Sequence, residues 1–342
     1  MSKQASIPMK LVGPLKVSGS LVAGEYEIPL ATFESPLWPS VGRGARVSMQ
    51  CDEGICCTLV DERMTRSVLF ETSNAAVAVE VARALKGQRA GLEKIVETTS
   101  RFARLLDVHT EIAANLLFVR FEFSTGDAAG HNMCTQAAEA LMNSVLEMYP
   151  SLRYSSLSGN YCCDKKATAV NGILGRGKHL VAELMIPEKI CRRYLKTTPE
   201  KLVKLNFQKN WVGTTLAGGL RSANAHFANM LLAFYLATGQ DAANIVEGSQ
   251  GTTIAELREG GLYFSVTLPN LIVGTVGNGK ELEFVQENMR VLDLLKDRPV
   301  GENARRLAAL CAATVLCGEL SLLAALTNQG ELMQVHQRLE RK

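Results

Sequence analysis

The sequence predicts an α+β protein. Strand-length alternating segments and long apolar helices both occur, and they follow one another without the strict alternation of a doubly wound sheet. The Gly-x-Gly-x-x-Gly dinucleotide fingerprint is absent, so a Rossmann domain has no support.

The elements follow in order. Leu116 to Phe123 alternates, with Leu117, Val119, Phe121 and Phe123 on one face, as a half-buried strand requires. A Ser-Thr-Gly-Asp turn follows, then a helix from about Asn132 to Met148, stopped by Pro150. His179 to Ile186 is expected as a strand ending at Pro187. Ser222 to Gln240 is a long uncharged run, and it is expected as a buried helix. Its Asn224, His226, Asn229 and Gln240 form a polar stripe that a lipid-facing span tolerates poorly. Tyr263 to Leu268 is expected as a strand stopped by Pro269, and Asn303 to Leu326 as an Ala/Leu-rich helix crossing the core.

With 342 residues the chain suffices for about two domains. No low-complexity linker or internal repeat is visible, so a second domain is expected as an insertion. A net charge of +3 and the lack of basic runs interleaved with aromatics argue against nucleic-acid or polyanion partners. Nine cysteines without a Cys-x-x-Cys pair, and five histidines, argue against a structural zinc site, and no metal is expected. Reduced thiols and an N-terminus without an apolar segment fit a cytoplasmic, non-membrane protein.

The chemically richest stretch is Ser158-Gly-Asn-Tyr-Cys-Cys-Asp-Lys-Lys166. An acid beside two lysines in a partly buried loop can fix one ammonium as an oxyanion holder. Two other stretches mimic a phosphate loop, Gly172 to Lys178 and Gly274 to Lys280. Both lack the Ser/Thr that ligates magnesium, having His179 and Glu281 instead.

The order of further segments carries a resemblance. Pro29-Leu-Ala-Thr-Phe-Glu34, Met64-Thr-Arg66, Ser100-Arg101-Phe102, Ser124-Thr-Gly-Asp127, Ser158 to Lys166, Leu205-Asn-Phe-Gln-Lys209, Asn224-Ala-His226, Gly239-Gln-Asp241, Gly274-Thr-Val-Gly277 and Gly301-Glu-Asn-Ala-Arg-Arg306 occur in that order. The chain thereby resembles the hydroxymethylglutaryl-coenzyme A (HMG-CoA) reductases, in the class found in eukaryotes and archaea, from about Ile7 to His336.

The resemblance implies a large acyl-coenzyme A-binding catalytic domain of unusual α+β topology, residues 1-67 and 157-342. A ferredoxin-like domain, residues 68-156, is inserted and binds NADPH, with NADH the less favoured cofactor. It implies reduction of the thioester to mevalonate with two hydrides, in a homodimer or dimer of dimers whose active sites lie at the subunit interface. Lys165 is then the cation at the reacting oxygen and Glu34 the proton donor. Asp241 is the second catalytic acid, able to raise the pKa of Glu34, and His336 protonates the departing thiolate. Arg66, Ser158, Asp164, Lys166, Lys209 and Asn229 match substrate positions. Ser40, Arg43, Arg46, Lys196 and His226 match the coenzyme A side. Ser100, Arg101, Asp127, Asn132, Gly277 and Gly279 match the dinucleotide site.

The chain departs from the family pattern at Phe33 and Ser35 beside Glu34, at Cys51 to Cys57, at Asn278, and at Ala129 and His131 near the dinucleotide loop. These departures leave two alternatives: a reductase of another branched acyl-coenzyme A, or a catalytically weak acyl-coenzyme A-binding paralogue.

Overall fold

The computed structural model describes residues 5–340, apart from the side chains of residues 335, 336 and 338–340. Nine strands make one mixed sheet: β1 (Met9–Ser18), β2 (Gly24–Ala31), β3 (Ile55–Glu71), β4 (Arg104–Ala113), β5 (Leu116–Ser124), β6 (Arg153–Ser156), β7 (Gly177–Pro187), β8 (Thr252–Arg258) and β9 (Gly261–Leu271). The main path runs β2-β1-β3-β7-β9-β8, and β1–β3 is its parallel pairing.

The 17-residue β3 serves two parts of this sheet in turn. Its first half pairs with β7, from Cys56↔Glu183 to Arg63↔Gly177. Its second half pairs with β5, from Met64↔Phe123 to Glu71↔Leu116. Beyond that switch the order is β4-β5-β3-β6, all antiparallel, with helices α2 (Ala75–Gly87), α3 (Arg89–Thr99) and α4 (His131–Met148) in the crossovers. This is the split β-α-β, or ferredoxin-like, pattern.

Each half has its own core. Leu117, Val119, Phe121 and Phe123 are fully buried against Leu85, Val96, Leu141 and Val145, as the alternation in the sequence predicted. The larger core wraps helix α6 (Glu302–Leu326). Among the described residues α6 is the one helix long and apolar enough to cross a membrane, but 94% of its apolar window is buried inside the protein. Helix α1 (Leu37–Met49) lies so close to it that a Cβ on Gly44 would sit 2.2 Å from the Cys317 carbonyl oxygen.

Two expectations are corrected. β9 continues through Pro269 to Leu271 instead of stopping at the proline. The β7–β9 register shifts between Leu180↔Leu268 and Lys178↔Leu271, and such an irregularity tolerates a residue that cannot donate to the ladder. The run from Ser222 to Gln240 is helical only as α5 (Phe227–Ala237). The preceding polar residues serve a turn instead of a stripe: Asn224 Nδ2 donates to the Ser249 and Gly251 carbonyls, and its Oδ1 accepts from the Phe227 amide.

Candidate active site

The loop from Ser158 to Thr168 holds a backbone most side chains avoid. Asn160, Cys163 and Lys165 all have positive φ, at 58°, 36° and 55°. Each costs about 1–3 kcal/mol and persists only where its surroundings enforce it. Here they do. The Gly159 amide donates to the Ser67 carbonyl at 2.8 Å, and Asn171 Nδ2 to the Cys163 carbonyl at 2.8 Å. The Lys165 amide donates to Glu247 Oε1 at 3.2 Å. Gln250 brackets Thr168, accepting from its amide at 3.3 Å and donating to its carbonyl at 3.2 Å.

So braced, Lys165 extends its ammonium to Asp241 Oδ2 at 2.7 Å. The hydrogen bond it donates to Asp241 raises the Lys165 pKa despite partial desolvation. Partial burial pushes Asp241 up, but the Lys165 ammonium and the Ala243 amide, with a smaller effect of His131, together outweigh it and the net shift is downward. A raised amine loses its contribution as pH rises through the folded value, and a depressed carboxyl loses its own as pH falls. The ion pair is therefore intact throughout the neutral range, its acid limit lying below the ordinary aspartate value and its alkaline limit above the ordinary lysine value. The neighbouring Asp164 is fixed by Arg176 Nη2 at 2.6 Å and approached by His131 Nε2 at 3.5 Å. Burial alone would raise its carboxyl, but His131 and Arg176 outweigh that and hold it well below the usual carboxylate range. Lys166 Nζ turns back to the Asp164 carbonyl at 3.1 Å. Arg66 Nη2 is held by Thr135 Oγ1 at 2.7 Å, and Ser158 stands exposed at the loop's entrance.

A second group gathers elsewhere in the chain. Asn229, in the first turn of α5, donates to Glu34 Oε2 at 2.9 Å. Ser40, Arg43 and Arg46 share a face of α1 through i, i+3 spacing. They line a cavity of about 180 Å³ with Glu34, His226, Ser321 and Glu331. Arg43 is tied to Ser321 Oγ at 3.0 Å and to Glu331 Oε1 at 2.6 Å. Lys196 is exposed and lies outside this lining. Lys209 is exposed on a π-helical segment, Asn206–Gly213. His336 belongs to helix α7 (Glu331–Glu340), but its side chain lies outside the described residues.

Glu319 organises this second group, and sequence reasoning missed it. Its buried carboxylate accepts from the amides of Ala225 (2.6 Å) and His226 (3.1 Å), and from Thr253 Oγ1 (3.0 Å). It also meets His226 Nδ1 at 3.1 Å and Asn210 Nδ2 at 3.4 Å. A signal existed: Glu319 is the single charged residue between Leu307 and Leu326. Glu247, Gln250 and Arg176 were missed as well. Burial raises Glu247 above the usual glutamate range, although its bonds to Asn244 and the Lys165 amide partly compensate.

The residues matched to the dinucleotide flank the smaller core. Ser100 Oγ accepts from the Phe102 amide at 3.1 Å and the Ala103 amide at 3.4 Å, a tight turn that projects Arg101. Arg101 is exposed over the Phe102 ring, and it forms no ion pair among the described residues. Asn132 is exposed in the first turn of α4. The Ser124–Asp127 turn meets the Gly274 loop, with the Thr275 amide on the Asp127 carbonyl at 2.8 Å. Asp127 has a structural duty too: its carboxylate accepts from the Gly301 and Ala304 amides at 2.8 and 3.0 Å, capping α6. Gly277 and Gly279 both take positive φ, 104° and 82°, and a Cβ on Gly277 would meet nothing within 4 Å. The backbone conformation, not space, asks for glycine there.

The phosphate-loop mimics carry no free lysine. Lys178 pairs with Glu62 at 3.1 Å and reaches the Val273 carbonyl at 3.3 Å. Lys280 is buried on the Gly239 carbonyl, and burial lowers it to about 8. Asp107, His109 and Glu122 bring three possible metal-ligand atoms within 4.8 Å of one another. Glu122 is already held by Arg63, and Arg120 Nε lies 3.3 Å from its other oxygen, so two guanidiniums oppose a cation there.

The fold is shared with solved reductases. A class II 3-hydroxy-3-methylglutaryl-CoA reductase from Streptococcus pneumoniae, described as bound to NADPH in open conformations, superposes with a TM-score of 0.76 at 21% identity, over 96% of this chain and 86% of that one. A family model for hydroxymethylglutaryl-coenzyme A reductase matches residues 2–341. Similar proteins named 3-hydroxy-3-methylglutaryl-coenzyme A reductase include one from Pyrococcus abyssi, 46% identical over 98% of this chain and 82% of its own length. Another, from Methanocaldococcus jannaschii, is 40% identical over the same shares. The chain belongs to the hydroxymethylglutaryl-coenzyme A reductase family.

Proposed function

We propose that this protein reduces 3-hydroxy-3-methylglutaryl-coenzyme A to mevalonate and coenzyme A, using two NADPH. The observation that carries the reading is the Lys165–Asp241 ion pair on a strained, braced loop in a chain of this family. When bound, NADPH supplies a hydride to the carbonyl carbon in each of the two reductive steps. The Lys165 ammonium holds the oxygen that gains negative charge, an effect worth about 3 kcal/mol or more. Asp241 keeps that ammonium charged and aimed. Glu34, oriented by Asn229, returns a proton to the alkoxide, and His336 gives one to the departing thiolate. Arg66, Lys166, Lys209 and Ser158 hold the free carboxylate and the hydroxyl of the substrate. The cavity between α1 and α7 receives the coenzyme A.

Two groups of residues in one chain support a homodimer with shared active sites. Glu34 is joined to the first turn of α5, whereas Asp241 follows its last turn, so about 12 Å of helical rise lies between them. A partner chain supplying Lys165 to this chain's Glu34 would reunite them. Exposed apolar side chains near Lys209, among them Leu216 (83% exposed) and Phe207 (62%), suit such an interface. We assign residues 1-67 and 157-342 to acyl-coenzyme A binding and 68-156 to the dinucleotide. All nine cysteines are free, in keeping with a reducing, cytoplasmic setting.

The dinucleotide assignment fits an observation: Arg101 is an exposed cation without a carboxylate partner among the described residues, suited to a 2′-phosphate. Arg101→Ala is expected to raise KM for NADPH about tenfold or more and leave KM for NADH nearly unchanged. Steady-state kinetics with both cofactors checks this, and equal losses on the two would contradict it.

A further inference from the structure

His131 is the first residue of α4 and follows Gly130, whose φ of +96° makes the turn into the helix. Its Nε2 is buried, forms no hydrogen bond of good geometry, and points toward Asp164 Oδ1 at 3.5 Å. The same carboxylate oxygen receives Arg176 Nη2 at 2.6 Å. Asp164 directly precedes Lys165 in the strained loop. The His131 carbonyl accepts from Thr135 Oγ1 at 2.9 Å, which in turn holds Arg66. The His131 ring thus meets Asp164 directly, and the His131 backbone carbonyl reaches Arg66 through Thr135.

The charged groups around the ring are Asp164 and Lys165 from the loop, Arg176 from the turn before β7, Arg66 from β3, and Asp241 beyond α5. The thiol of Cys134, one helical turn away, is raised by burial and stays neutral. The ring thus meets Asp164 directly, while Arg176 is paired with the same carboxylate, Lys165 with Asp241, and Arg66 with Thr135. Asp164 is anchored from one side by Arg176, and His131 is the contact that closes it from the dinucleotide side.

We propose that His131 is a positioning residue for the Lys165 loop: its imidazolium form completes the clamp on Asp164 and so holds Lys165 in register with the reacting oxygen. The inference rests on the role given to Lys165 above. A charged imidazole holds a carboxylate more tightly than a neutral one, so the clamp is strongest when the ring carries its proton. Deprotonation removes the charge and lets Asp164 rest on Arg176 alone.

The test is the ratio of wild-type to His131→Met kcat across the pH range in which the folded enzyme is active. This ratio cancels titrations common to both enzymes, that of His336 included. The expected ratio is about ten or more on the acid side, falling toward one as imidazole loses its proton. His131→Lys, which keeps a permanent cation, is expected to retain acid-side activity and to lose the alkaline decline. A ratio that is flat with pH, or His131→Lys behaving like His131→Met, overturns the proposal. NMR titration of the His131 ring supplies a readout independent of turnover. Its midpoint is expected to fall in Asp164→Asn, and an unmoved midpoint also overturns the clamp. Lys165→Ala separates the two levels of the account. If that variant is inactive while the ratio is flat, only the His131 proposal fails. If it remains fully active, the reading of the site fails with it.

Discussion

Replacing Lys165 with alanine is expected to lower kcat at least a hundredfold while leaving the acyl-coenzyme A bound, because an oxyanion holder of this kind is worth about 3 kcal/mol or more in the transition state. The Lys165 side chain is 39% exposed, so its ion pair contributes little to folding, and the variant's melting temperature should stay close to that of the parent. Its partners Asp241 and Glu247 remain in place: the Asp241 carboxylate still caps the Ala243 amide at 3.1 Å, and residue 165 keeps its own amide. The loss should therefore appear in kcat far more than in KM, the mark of an interaction made mainly in the transition state. Arginine at this position should rescue poorly. Its planar fork fits a carboxylate, whereas the site holds a point charge on a flexible stem. A folded Lys165→Ala enzyme with near-parental kcat would remove the residue from the mechanism.

Glu319→Ala is expected to be the most damaging single change to stability among the groups described, at about 3–5 kcal/mol. The carboxylate lies wholly buried in α6 and satisfies two backbone amides, a threonine hydroxyl, His226 and Asn210. Truncation strands those donors in the core, each costing about 1–3 kcal/mol when unpaired. The same change loosens the turn before α5, which positions His226 and Asn229 for Glu34. Thermal or denaturant unfolding should show a large loss, and a surviving fraction should bind acyl-coenzyme A less well. Glu319→Gln, which keeps one acceptor, should fall between the two. An alanine variant that melts with the parent would show that water replaces the carboxylate and that the hub is dispensable.

Much of the architecture was legible because the physics was local. The alternation of Leu117, Val119, Phe121 and Phe123 could suit only one face of a strand, and the Ala/Leu-rich run to Leu326 only a buried helix. Pro269 misled because a proline stops a strand only when its ladder is regular, and the register shift beside it depends on a partner distant in sequence. The turn at Ser222 to His226 was hidden for the same reason: Asn224 and His226 read as a stripe until Ser249, Gly251 and Glu319 are brought alongside.

At the site, the order of motifs pointed to Lys165, Asp241 and Glu34, but their sorting into two groups was not readable. That separation arises from α5, which joins Asn229 to one group and leads to Asp241 in the other. The supporting residues were the least visible. Glu247, Gln250 and Arg176 act through backbone amides and carbonyls of a loop whose shape no sequence pattern announces. Glu319 alone advertised itself, as a charge no apolar helix would carry without a reason.

The most direct measurement is the stoichiometry of cofactor oxidation with limiting 3-hydroxy-3-methylglutaryl-coenzyme A. The purified protein should consume two NADPH for each thioester and release mevalonate, since the thioester and the aldehyde it yields must each accept a hydride. A single equivalent with aldehyde released, or no oxidation while the acyl-coenzyme A stays bound, would contradict the account.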